Sequence, residues 1–112
     1  MRELISTTEQ DGFEIRFYTM PEALHPDDCF DDGGQTAREI EAGQYQWFCA
    51  CVTASKAGIV LGKDYLGCCC YETAEEFLEC LTYEDMIRNA IDAAREKLAE
   101  LAGESAGQGF PG

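Results

Sequence analysis

Seven cysteines are the residues of this chain with the most specific chemistry. Cys49 and Cys51 are two residues apart, as are Cys68 and Cys70, so each pair would point to one face of a β-strand. If Cys49 paired with Cys70 and Cys51 with Cys68 in neighbouring strands, four thiolates would converge as tetrahedral zinc requires. A cysteine-ligated metal or redox protein is therefore one hypothesis. Neither pair has the ordinary zinc spacing, and buried free cysteines commonly pack as small apolar residues. Our leading prediction is free thiols in a reducing compartment, with no metal and no cofactor.

The single histidine offers little catalytic chemistry. His25 precedes Pro26, Asp27 and Asp28, and a histidine beside a carboxylate can act as a general base. The sequence places no nucleophile near His25. The chain contains neither a Walker A phosphate-binding loop nor an H-E-x-x-H zinc motif. We therefore predict that the protein is not an enzyme and has no catalytic residues.

Carboxylates are the most abundant functional group. The chain has 22 Asp and Glu against 8 Lys and Arg, a formal net charge of -14. Such a field repels nucleic acid and anionic membranes and steers the protein toward basic partners. Two acidic runs lack a compensating base, and we expect both to be exposed, with nearby aromatic side chains as apolar anchors. The predicted partner-binding residues are Glu22, Asp27, Asp28, Phe30, Asp31, Asp32, Tyr71, Glu72, Glu75, Glu76, Glu79, Tyr83, Glu84 and Asp85.

Other interpretations of the same acids remain open. A solvated surface that serves only solubility is the simplest. Asp27, Asp28, Asp31 and Asp32 would also suit a weak calcium site, although the EF-hand pattern is absent. Acids and bases alternate on the outer face of the C-terminal helix, so that face should neutralise itself and the net field should concentrate in the two runs.

Apolar periodicity defines the elements that must position these side chains. Residues 3–9 and 13–20 are predicted to form a hairpin around Asp11 and Gly12, and residues 45–54 the central strand. Residues 59–61 and 65–71 are predicted as one interrupted strand or two short ones, broken by Gly62, Lys63 and Asp64. Helices are predicted over 36–42, over 74–81 with Thr73 and Glu76 as a capping box, and from after Thr82 to about 102. The prediction is one α+β domain, residues 1–102, followed by a flexible tail, residues 103–112. Its antiparallel sheet has about four strands, with two short helices and the long C-terminal helix mainly on one face.

The segments DGFEIRFYTMPE, YQWFCACVTASKAGIVLGKDYLGCCCY and DMIRNAIDAAREKLAEL resemble small uncharacterised proteins of proteobacterial phages and integrative elements. No catalytic residue carries over from that resemblance. In size, charge and lack of catalytic motifs the chain is similar to anti-CRISPR and antirestriction proteins, some of which mimic DNA. The resemblance implies an inhibitor in the cytoplasm of the bacterial host that binds a basic, nucleic-acid-binding protein or defence complex. Membranes and direct nucleic-acid binding are not expected. The alternative is an accessory protein-interaction domain without mimicry.

Overall fold

The structure is a computed structural model that describes residues 2–107, with side chains described for residues 2–102. Its centre is a four-stranded antiparallel sheet in chain order, β1 (Glu3–Gln10), β2 (Phe13–Met20), β3 (Gln46–Lys56) and β4 (Ile59–Tyr71). The α+β prediction is therefore confirmed. Asp11 and Gly12 form the predicted hairpin turn, and both have positive φ, as a two-residue turn that matches strand twist requires. β4 differs from the prediction because it is one strand that continues through residues 62–64.

The helices are α1 (Pro26–Cys29), α2 (Gln35–Glu41), a 3-10 helix (Ala74–Glu79) and α3 (Leu81–Gly107). α1 lies within residues 21–35, where two prolines, two glycines and five acids predict a loop. The 3-10 helix replaces the predicted helix over 74–81. The sequence predicts Gly103 as the C-cap of the long helix, but α3 continues past it, and residues 108–112 of the predicted tail lie outside the described residues.

The core lies between one face of the sheet and the helices that follow β4. Phe17 of β2 stacks on Phe77 of the 3-10 helix with ring centroids 5.2 Å apart, and Tyr83 of α3 lies 5.6 Å from Phe17. The apolar residues that repeat along α3 complete this core, as its periodicity predicted: Met86, Ile87, Ala90, Ile91 and Ala94 are all buried. The predicted packing of α3 on one face of the sheet is confirmed.

Gly62 sets the distance between α3 and β4. A Cβ built on Gly62 would lie 2.0 Å from the carbonyl oxygen of Ala90 and 2.7 Å from the amide nitrogen of Ala94. The helix backbone therefore occupies the space of a side chain. Only glycine permits this approach.

The opposite face of the sheet carries a different set of side chains. Tyr18, Cys51 and Tyr65 are register partners across β2, β3 and β4, and Arg16, Thr53 and Lys63 form the next row. Because alternate residues of a strand face opposite sides, both rows point away from the Phe17 core. The guanidinium of Arg2 lies 4.0 Å from the centre of the Tyr18 ring. We call this surface the open face.

Candidate functional site: an acidic end of the sheet

The order of the strands brings the two acidic runs to the same end of the sheet. Consecutive strands are antiparallel, so the β1–β2 and β3–β4 turns lie at one end. The β2–β3 connection (residues 21–45) leaves the other end, and so does the 72–85 segment that follows β4. We call these two segments together the acidic end.

The acidic end holds almost all of the net charge. The β2–β3 connection has seven Asp and Glu side chains against one arginine, and the 72–85 segment has six with no base. These two segments therefore account for 12 of the 14 excess negative charges. The rest of the chain is nearly neutral.

A disulfide ties the β2–β3 connection to the sheet. Cys29, the last residue of α1, is bonded to Cys68 of β4, with Cα atoms 6.2 Å apart and a sequence separation of 39. The prediction that all seven cysteines are free thiols is therefore wrong. The half-buried ring of Phe30 packs beside this bond on Trp47, with centroids 5.9 Å apart.

Glu22 is a second anchor of the same connection. Its carboxylate accepts hydrogen bonds from the backbone amides of Cys68 at 2.7 Å and Leu24 at 3.2 Å. These bonds, led by the one from Cys68, lower the pKa of Glu22 below its ordinary value. The indole Nε1 of Trp47 donates to the Leu24 carbonyl at 3.0 Å and fixes the next turn of chain. Glu22 thus shapes the acidic end and does not simply project from it.

The aspartates of the connection divide into two groups. Asp32 accepts bonds from the amides of Thr36 at 3.1 Å and Gly34 at 3.2 Å, and from the Thr36 hydroxyl. These bonds, the one from the hydroxyl first, lower its pKa. Asp28 closes the α1 capping box by accepting from the His25 amide at 3.3 Å. Asp27 and Asp31 are exposed, which leaves their carboxylates at the surface. His25 serves as the cap of α1, and its Nδ1 accepts from the Asp27 amide.

The 72–85 segment is organised by the predicted capping box. Thr73 Oγ1 accepts from the Glu76 amide at 3.3 Å, and the Glu76 carboxylate accepts from the Glu72 amide at 2.9 Å. This box begins the 3-10 helix, whose Phe77 faces the core. The six acids of the segment are exposed: Glu72, Glu75, Glu76, Glu79, Glu84 and Asp85.

The apolar anchors differ from those that the sequence suggests. Tyr83 is only 7% exposed and Tyr71 is half-buried against Phe77, with ring centroids 5.3 Å apart, so both mainly build the core. The large exposed apolar side chains at the acidic end are Leu81, 77% exposed, and Leu24, 50% exposed. The helix predicted over 74–81 would turn Leu81 inward beside Phe77, which is wrong because the 3-10 helix ends at Glu79. No sequence signal singled out Leu24.

Most of the described carboxylates at the acidic end lie in no ion pair. Among the described residues, its carboxylates make two pairs within 4 Å, Asp85 with Arg88 at 3.3 Å and Asp27 with His25 at 3.7 Å. Further along α3, Arg95 pairs at 3.3 Å with Asp11 of the β1–β2 turn. The expectation that α3 carries compensated charge is thus met partly by a partner outside the helix.

The four-thiol metal site that the cysteine spacing suggested is contradicted. Trp47, not Cys49, lies opposite Cys70, and Cys51 lies opposite Tyr65, so β3 and β4 pair two to three residues away from the register that a four-thiol site needs. Cys68 is already bonded to Cys29. Within residues 2–107 no three His, Cys, Asp or Glu side chains are grouped as a metal site would need.

Four of the five free thiols are poor nucleophiles at neutral pH. Burial raises the pKa of Cys49, Cys51, Cys69 and Cys70, that of Cys69 to about 11. The thiolate is the reactive form, so these four residues stay protonated and exchange slowly with a disulfide. Cys29 and Cys68, both half-buried, therefore form a bond that its cysteine neighbours do not readily attack.

Residues 103–107 form a Gly-x-Ser-x-Gly string, which has the composition of a hydrolase nucleophile elbow. That elbow requires a strand-to-helix turn, whereas the backbone of these residues forms the C-terminal end of α3.

Comparison of the chain with protein-family models, curated proteins and solved structures finds no match. None of the described helices is long and apolar enough to span a membrane.

Proposed function

We propose that the protein is a non-catalytic acidic binding protein, an inhibitor of anti-CRISPR type. It acts in the bacterial cytoplasm by blocking the nucleic-acid-binding groove of a host defence complex through DNA mimicry. The observation that supports this proposal is the placement of 12 of 14 excess negative charges at one end of the sheet. Solubility requires net charge but favours interspersed signs, not a single-sign surface.

The chemistry of the acidic end suits a partner whose groove is lined with lysine and arginine. A one-sign field steers such a partner and raises the association rate. Hydrogen bonds keep Glu22 and Asp32 ionised well into the acidic range. Exposed Leu24 and Leu81 supply apolar surface, which gives an interface strength that charge alone lacks.

The test uses two double variants with the same change in charge. Glu75→Lys with Glu79→Lys alters exposed positions of the 3-10 helix, and Asp92→Lys with Glu96→Lys alters exposed positions of α3. Binding to a panel of CRISPR effector and restriction complexes is measured by their loss of affinity for labelled target DNA. We expect the first variant to weaken inhibition roughly tenfold or more, and the second to change it little.

Salt provides the second measurement. Inhibition by an acidic surface should weaken steeply between low and moderate ionic strength, because charge attraction at a surface is screened. Equal loss in the two double variants, or inhibition that is indifferent to salt, would contradict DNA mimicry.

The open face favours a second candidate, an accessory protein-interaction domain without mimicry. It carries three of the eight bases, Arg2, Arg16 and Lys63, and an exposed aromatic ring, Tyr65. Partner capture that survives high salt but is lost in Tyr65→Ala would support this candidate over the first.

A further inference from the structure

We propose that the Cys29–Cys68 disulfide is a reversible redox latch that holds part of the acidic end against the sheet. The effect of the latch on binding rests on the proposed function, whereas the opening and closing of the disulfide does not. It concerns residues 25–34, which contain α1 and the aspartates Asp27, Asp28, Asp31 and Asp32.

Apart from the disulfide, the restraints on this stretch are noncovalent. Glu22 and Trp47 fix the chain at residues 22–24, before α1 begins. α1 has only four residues, far fewer than a helix needs for stability on its own. Besides the latch, the Phe30 ring packs on Trp47, and Pro26 at the start of α1 is buried. The disulfide is the covalent restraint on α1.

The position of the bond allows exchange with an external reductant. Cys29 and Cys68 are each partly exposed, and Cys68 lies where β4 departs from regular geometry, with a φ of 59°. The neighbouring thiols have raised pKa values, so they do not compete as attacking groups. Thiol–disulfide exchange at this site therefore interconverts two states, the Cys29–Cys68 disulfide and the two free thiols.

The reductant is a dithiol protein or small molecule of the kind that keeps cytoplasmic thiols reduced. One of its thiolates attacks a sulfur of the Cys29–Cys68 bond, forms a mixed disulfide and releases the other cysteine, which takes a proton. The second thiol of the reductant then displaces the remaining cysteine. Two electrons and two protons pass to the protein, and the reductant leaves as its own disulfide.

Opening the latch should loosen residues 25–34 and leave the 72–85 segment in place. A preorganised acidic surface loses less entropy on binding than a loose one, so the oxidised form should bind a basic partner more tightly. The latch would thus couple the strength of inhibition to the redox state of the cell.

The experiment uses the full chain in oxidised and dithiothreitol-reduced forms. Alkylation after denaturation should modify five thiols in the oxidised form and all seven after reduction. Hydrogen exchange of residues 25–34 should accelerate at least tenfold on reduction, while residues 46–56 of β3 stay protected. A labelled nona-arginine peptide serves as the basic probe, and its dissociation constant should rise severalfold on reduction.

Matched variants isolate the latch. Cys29→Ser with Cys68→Ser should exchange like the reduced protein whether or not dithiothreitol is present, and Cys80→Ser should respond like the wild type. Seven modifiable thiols after treatment with oxidised glutathione, or exchange of residues 25–34 that ignores reduction, would overturn the proposal. If exchange responds to reduction but no defence complex is inhibited in either form, the latch stands and the proposed function fails.

Discussion

Gly62→Ala is the most demanding test of how α3 and the sheet are joined. The added Cβ would meet the Ala90 carbonyl oxygen at 2.0 Å, and both sides of this contact are backbone. To reach a van der Waals separation, the helix must withdraw by about 1.4 Å. A gap of that size removes a large part of the dispersion energy along the Ala90 and Ala94 stripe. Overpacking with some freedom to relax costs about 1–3 kcal/mol, so we expect about 3 kcal/mol or more here.

Urea unfolding followed by far-ultraviolet circular dichroism measures this loss in the free energy of unfolding. In thermal unfolding, the same loss should lower Tm by about 12 °C or more. Gly67→Ala is the matched control. Its Cβ would meet only Glu22 Oε1, at 2.7 Å, and that side chain can rotate away with the loss of about one charged hydrogen bond, roughly 2 kcal/mol. If Gly62→Ala unfolds within about 1 kcal/mol of the wild type, or costs less than Gly67→Ala, the close approach of α3 to β4 is wrong.

Two further predictions concern titration. The folded pKa of Glu22 is depressed, so its stabilisation is present above the ordinary value of 4.5 and is lost as the pH falls through the lower folded value. Glu22→Gln should therefore flatten acid unfolding between about pH 5 and pH 2, measured by fluorescence of Trp47, and an unchanged profile would refute the anchor. Burial, with a smaller contribution from Cys80, raises the pKa of Tyr71 from 10 to about 12, so folding should lose stability as the pH rises through this interval. Tyrosinate absorbance should show one late-titrating tyrosine that disappears in Tyr71→Phe, and its persistence there would show that another ring is responsible.

Local patterns in the sequence were sufficient to predict the sheet. The Asp11–Gly12 pair marks a turn because it tolerates positive φ, and Phe13, Ile15 and Phe17 repeat with the period of a strand. The capping residues Thr73 and Glu76 were found for the same reason, since each bond joins residues close in the chain. α3 followed from its apolar repeat.

Features that depend on distant parts of the chain were not predicted. No local sequence pattern indicates that the Cα atoms of Cys29 and Cys68 lie 6.2 Å apart, and seven cysteines allow many pairings. The four-thiol arrangement failed because β3 and β4 pair two to three residues away from the register it needs, and the irregular positions of this ladder have no clear sequence signature. Leu81 was misplaced because a 3-10 helix changes the phase between Phe77 and the start of α3.

The meander itself accounts for the concentration of charge at one end. The β1–β2 and β3–β4 turns each contain two residues, so they can hold few ionisable groups, and their strands are restricted by the core on one side. The long β2–β3 connection and the exit from β4 must leave the opposite end, because consecutive strands are antiparallel. Acids placed in those two connections meet at one end whatever their separation in sequence. Their mutual repulsion destabilises the folded chain, and the Cys29–Cys68 bond and the hydrogen bond from Cys68 to Glu22 oppose it by tying the β2–β3 connection to β4.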